Sequence, residues 1–179
     1  MMKYLLSISF ALLSLYGLGQ DAVKPRPSPL AVASTKYKDT YIKITYSQPH
    51  KRGREVFGSI VPFGQVWRAG ANEATEITLT RDIKINGLDL KAGTYSLFVI
   101  PEKEKWMILV NTELGLWGSY NYNSKLDILK FDIPVTPVSG FVYEAFTILL
   151  DPKNSKADLV LAWDKTKVVI PIAFNEPIP

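Results

Sequence analysis

From Leu30 onward the chain alternates between apolar and polar residues with a period of two, which is typical of half-buried β-strands. The clearest run covers residues 76–85. Isoleucine and leucine occupy its odd positions and polar residues its even ones, with Arg81 as the only charged residue on the odd face. The dipeptide Asn86-Gly87 follows, and it favours the positive φ angles of a hairpin turn. This region predicts a strand that turns back tightly on itself.

Two further segments carry apolar groups on both faces, as is typical of central strands. They are residues 94–100 and 106–110, joined across a charged turn. Later strands are predicted at 129–135, 143–150, 157–163 and 166–172. Many short strands with turn residues between them indicate an all-β fold, a single antiparallel β-sandwich or jelly-roll-like domain.

Two stretches depart from the period of two. Val56, Phe57 and Ile60 lie at helical spacing, so one short helix is expected near 53–60. Residues 114–126 are rich in glycine, asparagine and aromatic residues, which predicts a long ordered loop. Long loops in compact domains often carry function.

The first nineteen residues are predicted to be a signal peptide. A positively charged start precedes a short apolar core at residues 5–18, and Gly17 and Gly19 provide the small residues of a cleavage site before Gln20. The alternative is an uncleaved anchoring helix, although the core is short for a membrane span. The chain contains no cysteine, so no lipid anchor can be attached at one. We therefore expect an exported protein, periplasmic or extracellular, with no membrane anchor after cleavage.

The rest of the chain divides into three parts. Residues 20–29 contain three prolines among polar residues and are expected to form an extended tether. Residues 30–174 have the length of one domain and are assigned to the β-sandwich, and residues 175–179 form a tail. Without disulfides, such a domain must be held together by packing.

Composition removes several classes of function. The net charge is +4, and the basic residues are scattered, so no clustered face for nucleic acid is expected. His50 is the only histidine and lacks the partners of a catalytic triad. With no cysteine and one histidine, the usual zinc and copper ligands are missing. Residues 151–158 offer oxygen ligands, but their spacing matches no calcium loop. No metal and no cofactor are expected.

The best candidate for chemistry is the segment 61–75, which places Arg68, Asn72 and Glu73 among small residues. A guanidinium offers a planar fork for a carboxylate or phosphate, and the amide and carboxylate would orient a polar ligand. Aromatic residues of this segment and of the long loop would stack on a sugar or other ring. The hypothetical site for a carbohydrate or small anion therefore contains Trp67, Arg68, Asn72, Glu73, Trp117 and Tyr120.

A structural explanation of the same charges competes with this one. By strand parity, Arg81 and Glu144 point towards the core, where charges must be paired. Arg54, Arg68 and Arg81 would then be neutralised by Glu73 and Glu144 in a buried ion-pair network. The aromatic residues of the long loop would in that case cap the core.

Long sequence motifs give the chain a family resemblance. They include Val61-Pro62-Phe63-Gly64-Gln65-Val66-Trp67-Arg68-Ala69-Gly70-Ala71-Asn72-Glu73-Ala74-Thr75, Ala92-Gly93-Thr94-Tyr95-Ser96-Leu97-Phe98-Val99-Ile100-Pro101 and Trp163-Asp164-Lys165-Thr166-Lys167. On these motifs, about Pro29 to Ile172 resembles the domain-of-unknown-function family numbered 2911, small exported bacterial proteins. The resemblance implies a secreted, predominantly β domain and no established activity or catalytic residues.

The sequence thus leaves the function unknown, with two hypotheses from different classes. The favoured one is a secreted, non-catalytic binding or structural module, whose ligand would be a carbohydrate or small anion. The alternative is a glycan- or ester-hydrolysing enzyme with Glu73 as acid or base and Glu144 or Asp127 as the second carboxylate. The sequence does not predict an oligomeric state.

Overall fold

The computed structural model describes residues 24–175, and most of these lie in strands. The predicted signal peptide lies outside the described residues, as does nearly all of the predicted tail. The strands are β1 (Leu30–Tyr37), β2 (Thr40–Ser47), β3 (Ala71–Leu79), β4 (Ile83–Ile85), β5 (Leu88–Leu90), β6 (Gly93–Pro101), β7 (Lys105–Asn111), β8 (Asp127–Pro134), β9 (Thr136–Pro137), β10 (Tyr143–Lys153), β11 (Lys156–Asp164) and β12 (Thr166–Phe174). A short 3₁₀ turn at Ser124–Leu126 precedes β8.

These strands form two antiparallel sheets, which confirms the predicted all-β class. The first sheet has the order β1-β2-β3-β6-β7-β8, and the second has the order β10-β11-β12-β4-β5, with β9 pairing to β12. The strands predicted to be central, β6 and β7, are indeed interior strands of the first sheet. The sheets do not close into a barrel.

The chain crosses from one sheet to the other directly after β2. Phe146 N donates to Pro49 O at 2.8 Å, and Lys51 N donates to Glu144 O at the same distance. His50 forms an isolated antiparallel bridge with Ala145 between these two bonds. The crossing segment therefore continues the second sheet beyond β10 and ties the two sheets together at one edge.

The short helix predicted near 53–60 is wrong, because this segment consists of turns. Arg52, Gly53 and Gly58 have φ angles of +49°, +71° and +90°, which a right-handed helix does not allow. Val61 N donates to Val56 O at 2.9 Å in the last turn. The apolar residues recur at helical spacing because the turns insert them into the core; Val56 is fully buried.

Five aromatic side chains form the centre of the core between the sheets. They are Phe57, Trp67, Trp106, Phe146 and Trp163. Trp67 stacks on Trp163 with ring centroids 6.0 Å apart, and its edge meets Phe146 at 4.9 Å. Such rings bury more apolar area than any other side chains and add favourable edge-to-face contacts. Since the chain has no cysteine, packing in this cluster and not disulfide bonding holds the two sheets together.

A second, smaller core lies on the outer face of the first sheet. Ala74, Phe98 and Leu109 are buried there beneath the loop 112–126, against Leu116 and Tyr122 among others. This explains why β6 is apolar on both faces, since Phe98 points away from the aromatic centre and under the loop. The predicted long ordered loop is therefore held by packing.

We expect Trp163→Ala to destabilise the protein by about 3–5 kcal/mol, because it opens a large cavity at the aromatic centre. Trp163 is 1% exposed, whereas Trp117 is 58% exposed, so Trp117→Ala is the matched control and should change stability by about 0.5 kcal/mol or less. Urea denaturation of both variants measures the difference. Equal losses in the two variants would contradict this description of the core.

Candidate functional site

Within the candidate segment 61–75, Trp67 is held by both its backbone and its ring. Its backbone exchanges two hydrogen bonds with Val99 of β6, Trp67 N to Val99 O at 2.7 Å and Val99 N to Trp67 O at 2.8 Å. Its ring lies in the aromatic core, where Nε1 donates to Gly70 O at 2.9 Å. The Trp67 ring is buried and stacked on Trp163, which disfavours its predicted role as a ligand-stacking residue.

The small residues that follow Trp67 are required by close packing. Ala69 has a φ of +48° and is fully buried. A Cβ atom on Gly70 would lie 3.0 Å from Ser47 O and 3.1 Å from the Thr75 hydroxyl. Thr75 Oγ1 donates to Ala69 O at 2.6 Å, so this buried hydroxyl has a partner. Much of the motif singled out in the sequence is thus explained by the turn it builds.

A wide bulge in β3 places Asn72 and Glu73. Residues 72–75 oppose only Tyr46 of β2, because the pairing passes from Thr45–Glu76 directly to Ser47–Ala71. The bulged backbone bonds to the long loop instead, with Ala74 N donating to Leu116 O at 2.8 Å and Gly118 N donating to Asn72 O at 2.9 Å. Asn72 has a φ of +56°, a conformation that asparagine tolerates better than most residues. The bulge therefore brings the two predicted site loops together.

Arg68 and Tyr120 meet at an open surface depression of about 190 Å³, whose lining also includes Gln65, Val66, Trp67 and Ser119. Tyr120 is 82% exposed, and Arg68 is half-buried. Gly118 lies between them, with a φ of +72°. A Cβ atom on Gly118 would stand 2.6 Å from Arg68 Nη1 and 2.9 Å from the Tyr120 ring, so any other residue there would displace both side chains and strain the backbone.

The guanidinium of Arg68 has no counter-charge within residues 24–175. Its Nε is buried and has no hydrogen-bond partner there, and no carboxylate lies within ion-pair distance. Removing a charged group from water without a partner is unfavourable. The depression is therefore electrostatically suited to an anion.

The side chains of Asn72 and Glu73 contact residues 26–28 and not the depression. Asn72 Nδ2 donates to Ser28 O at 3.2 Å. The Glu73 carboxylate pairs with Arg26 Nη1 at 2.7 Å and accepts from Ser47 Oγ at 3.2 Å. The hydrogen bond from Arg26 holds the pKa of Glu73 below its usual value. Neither residue lines the depression, so the structure brings Arg68 to Tyr120 but not to Asn72 or Glu73.

Trp117 also lies outside the lining of the depression. It is paired with Glu73 through an isolated backbone bridge, and its ring is mostly exposed. It is adjacent in sequence to Gly118 but contributes no surface to the depression. Of the six predicted ligand-binding residues, Trp67, Arg68 and Tyr120 therefore line one depression, and Arg68 and Tyr120 supply its polar groups.

The predicted buried ion-pair network is not present among the described residues. Arg54 donates to the backbone oxygens of His50 and Lys51, both at 2.9 Å. Arg81 lies in an exposed bend, because β3 ends at Leu79 and the strand parity does not extend to it. Glu144 is exposed and accepts a hydrogen bond from a neighbouring backbone amide, Arg52 N, at 2.7 Å. Arg54 and Arg81 therefore need no acid in the core, whereas Arg68 is left without one.

A buried polar cluster that sequence reasoning missed holds the long loop. The Asp127 side chain is fully buried and accepts from Asn111 Nδ2 at 2.7 Å, from Lys130 Nζ at 2.9 Å and from the Tyr122 hydroxyl. Asn111 Nδ2 also donates to Asn123 O at 3.0 Å. Burial and the bond to Asp127 raise the pKa of Tyr122. The one signal in the sequence was Asn111, a polar residue directly after the apolar run 106–110.

No group of three or more histidine, cysteine, aspartate or glutamate residues within 24–175 is arranged to hold a metal ion. The same part of the chain contains no helix that is long and apolar enough to cross a membrane.

The fold and the site together define an antiparallel two-sheet domain with an unpaired arginine in a surface depression. The chain belongs to the family described as protein of unknown function DUF2911, whose model matches residues 28–172. This confirms the resemblance found in the sequence. No curated protein and no solved structure matches the chain.

We expect Tyr122→Phe to lower the free energy of unfolding by about 1–3 kcal/mol at pH 7, because it removes one of the three side-chain donors to the buried Asp127 carboxylate. Tyr120→Phe, on an exposed ring, should not change the free energy of unfolding measurably.

The raised pKa of Tyr122 also predicts a pH dependence of stability. A tyrosine whose folded pKa is raised stabilises the fold fully below its unfolded pKa of about 10, and that stabilisation is lost as pH rises towards the folded value. Urea midpoints above pH 10 should therefore fall more steeply in the wild type than in Tyr122→Phe. If the urea midpoints of wild type and Tyr122→Phe changed in parallel with pH, the buried hydrogen bond between Tyr122 and Asp127 would be contradicted.

Proposed function

We propose that this protein is an exported, non-catalytic module that binds a small anionic ligand in the Arg68 depression. The observation that supports it most is the half-buried guanidinium whose Nε has no acceptor within the described residues. A carboxylate or phosphate would provide the missing charge and hydrogen-bond acceptors in the planar geometry that arginine favours.

The rest of the depression narrows the class of ligand. Ser119 Oγ donates to Val66 O at 3.0 Å, which leaves its lone pairs free to accept from a ligand hydroxyl. The exposed ring of Tyr120 offers an apolar face beside the cation. Because the depression is smaller than the roughly 300–1,000 Å³ of a typical drug-sized pocket, it suits a single small group, such as a sugar acid or a phosphate.

The alternative hydrolase is less well supported by the arrangement of carboxylates. Glu73 is held in its charged form by Arg26, which disfavours a role as general acid at neutral pH. Asp127 is fully buried and already accepts from three side chains, so it cannot reach a substrate. Glycoside hydrolysis needs two carboxylates facing one bond. These contacts favour a binding module over an enzyme.

We expect Arg68→Gln to weaken the binding of inorganic phosphate and of glucuronate about tenfold or more, because a charge-assisted hydrogen bond contributes about 1.5–3 kcal/mol. Arg81→Gln is the matched control, since it removes an exposed arginine away from the depression and should leave affinity unchanged. Isothermal titration calorimetry of the full chain measures both.

The melting temperature distinguishes binding from a structural role of Arg68. Removing an unpaired, half-buried charge should leave the melting temperature unchanged or raise it slightly. If Arg68→Gln melted several degrees lower while neither probe bound to the wild type, the arginine would be structural and the proposed function would fail.

Export is proposed from the first nineteen residues. Protein recovered from the periplasm or medium of the producing bacterium should begin at Gln20 when its N-terminus is determined by mass spectrometry. A chain that retains Met1 or remains with the membrane fraction would favour the uncleaved anchoring helix.

A further inference from the structure

Residues 26–29, from the end of the predicted tether, lie across the β3 bulge as a strap. Arg26 forms its ion pair with Glu73, and Gln48 N donates to Pro29 O at 2.8 Å. Arg52 Nη2 donates to Pro27 O at 3.0 Å, in addition to the bond from Asn72 to Ser28 O. The three carbonyl groups at 27–29 therefore all accept hydrogen bonds from the body of the domain. A segment with this many contacts is docked rather than a free tether.

A continuous series of contacts leads from the strap to the depression. The side chain of Asn72 binds the strap at Ser28 O, and its backbone oxygen accepts from Gly118 N at 2.9 Å. Gly118 in turn packs directly against Arg68 Nη1. Two hydrogen bonds and one close contact thus separate the strap from the guanidinium.

We propose that the strap is a positioning element for the anion site, and that Arg26 acts in it as a positioning residue. When the strap is docked, it fixes Asn72 in its left-handed conformation, and Asn72 fixes Gly118 against the guanidinium. This inference rests on the proposed function, because the consequence of losing the strap is a weaker anion site. Arg26 itself does not line the depression.

The expected effect is modest, and the exposure of the ion pair sets its size. The side chains of Arg26 and Glu73 are 58% and 44% exposed, so water and salt screen their attraction. Exposed pairs of this kind typically change an equilibrium by about two- to five-fold. Releasing the strap should therefore weaken phosphate binding by about that factor, and salt should reduce the difference between wild type and variants.

Two variants that break the same ion pair separate positioning from simple charge effects. Arg26→Ala removes a positive charge, and Glu73→Gln removes a negative one. If only the electrostatic field mattered, the first would weaken phosphate binding and the second would strengthen it. If the strap positions the site, both weaken binding, and Asn72→Gly, which keeps the left-handed backbone and changes no charge, weakens it too.

Lys105→Ala is the matched control for breaking a surface ion pair. Lys105 pairs with Asp132 at 2.5 Å, with side-chain exposures of 57% and 42%, and neither residue lines the Arg68 depression. It should leave phosphate affinity unchanged. Arg26→Lys restores the cation and should recover part of the affinity, which a loss of overall stability would not explain.

The experiment is a phosphate titration of the full chain and its variants, followed by NMR at the Gly118 amide and the Arg68 Nε–H signal. Weaker binding and shifted signals in both Arg26→Ala and Glu73→Gln support the inference. Opposite affinity changes, or unchanged signals, overturn it. If the wild type binds no phosphate, the proposed function fails separately, and the two NMR signals alone then decide whether the strap positions Arg68.

Discussion

The architecture of the candidate site depends on how Trp67 completes the first sheet. Pairing between β3 and β6 reaches only as far as Thr75 and Leu97, because β3 bulges away beyond that point. Two residues further along β6, at Val99, Trp67 pairs with the strand in place of β3 through two backbone hydrogen bonds. The ring of Trp67 lies in the aromatic core. Because both the backbone and the ring of Trp67 are held, the backbone of the next residue, Arg68, has little conformational freedom. Arg68 therefore lies at a fixed position at the surface.

The loop that carries Tyr120 is fixed by a different set of forces. Its apolar side chains pack on the outer face of the first sheet over Phe98, and its far end is bonded to Asp127 by way of Tyr122. Backbone bonds from Leu116 and Gly118 then attach it to the β3 bulge. Because packing, a buried carboxylate and backbone bonds all act on one loop, the depression has a rigid wall.

Several charges in the described part of the chain are neutralised by nearby residues at the surface. Lysines pair with nearby aspartates at the surface, as Lys84 does with Asp89 and Lys153 with Asp158. Lys51 and Asp164 form a more buried pair, at 2.5 Å, beside the point where the chain crosses between sheets. The half-buried guanidinium of Arg68 differs from these lysines, because its buried Nε has no acceptor within residues 24–175. A buried donor of a charged group that lacks an acceptor is the physical reason to test for an external anion.

The alternation of apolar and polar residues was sufficient to predict most of the strands, the central position of β6 and β7 and the all-β class, because each strand repeats its pattern of buried faces along the sequence. The single strand predicted over 76–85 was wrong, since it is divided between β3 and β4, which belong to different sheets. The motif at 61–75 was recognised, but its meaning was not. Whether Trp67 stacks on a ligand or fills the core depends on residues from four strands, and spacing along the chain does not contain that information. The short helix failed for a similar reason, since apolar residues at helical spacing also suit a turn that is inserted into a core.

Charge pairing was decided by tertiary structure alone. Strand parity placed Arg81 in the core, but the strand ended two residues earlier, at Leu79. Glu73 found its partner in Arg26, a residue of the predicted tether that has no pattern to reveal its contacts. An ion pair is formed by any two opposite charges that the folded backbone brings within a few ångströms. The sequence by itself therefore determined most of the segments that become strands, and only the folded chain decided which arginine was left half-buried with an unpartnered Nε.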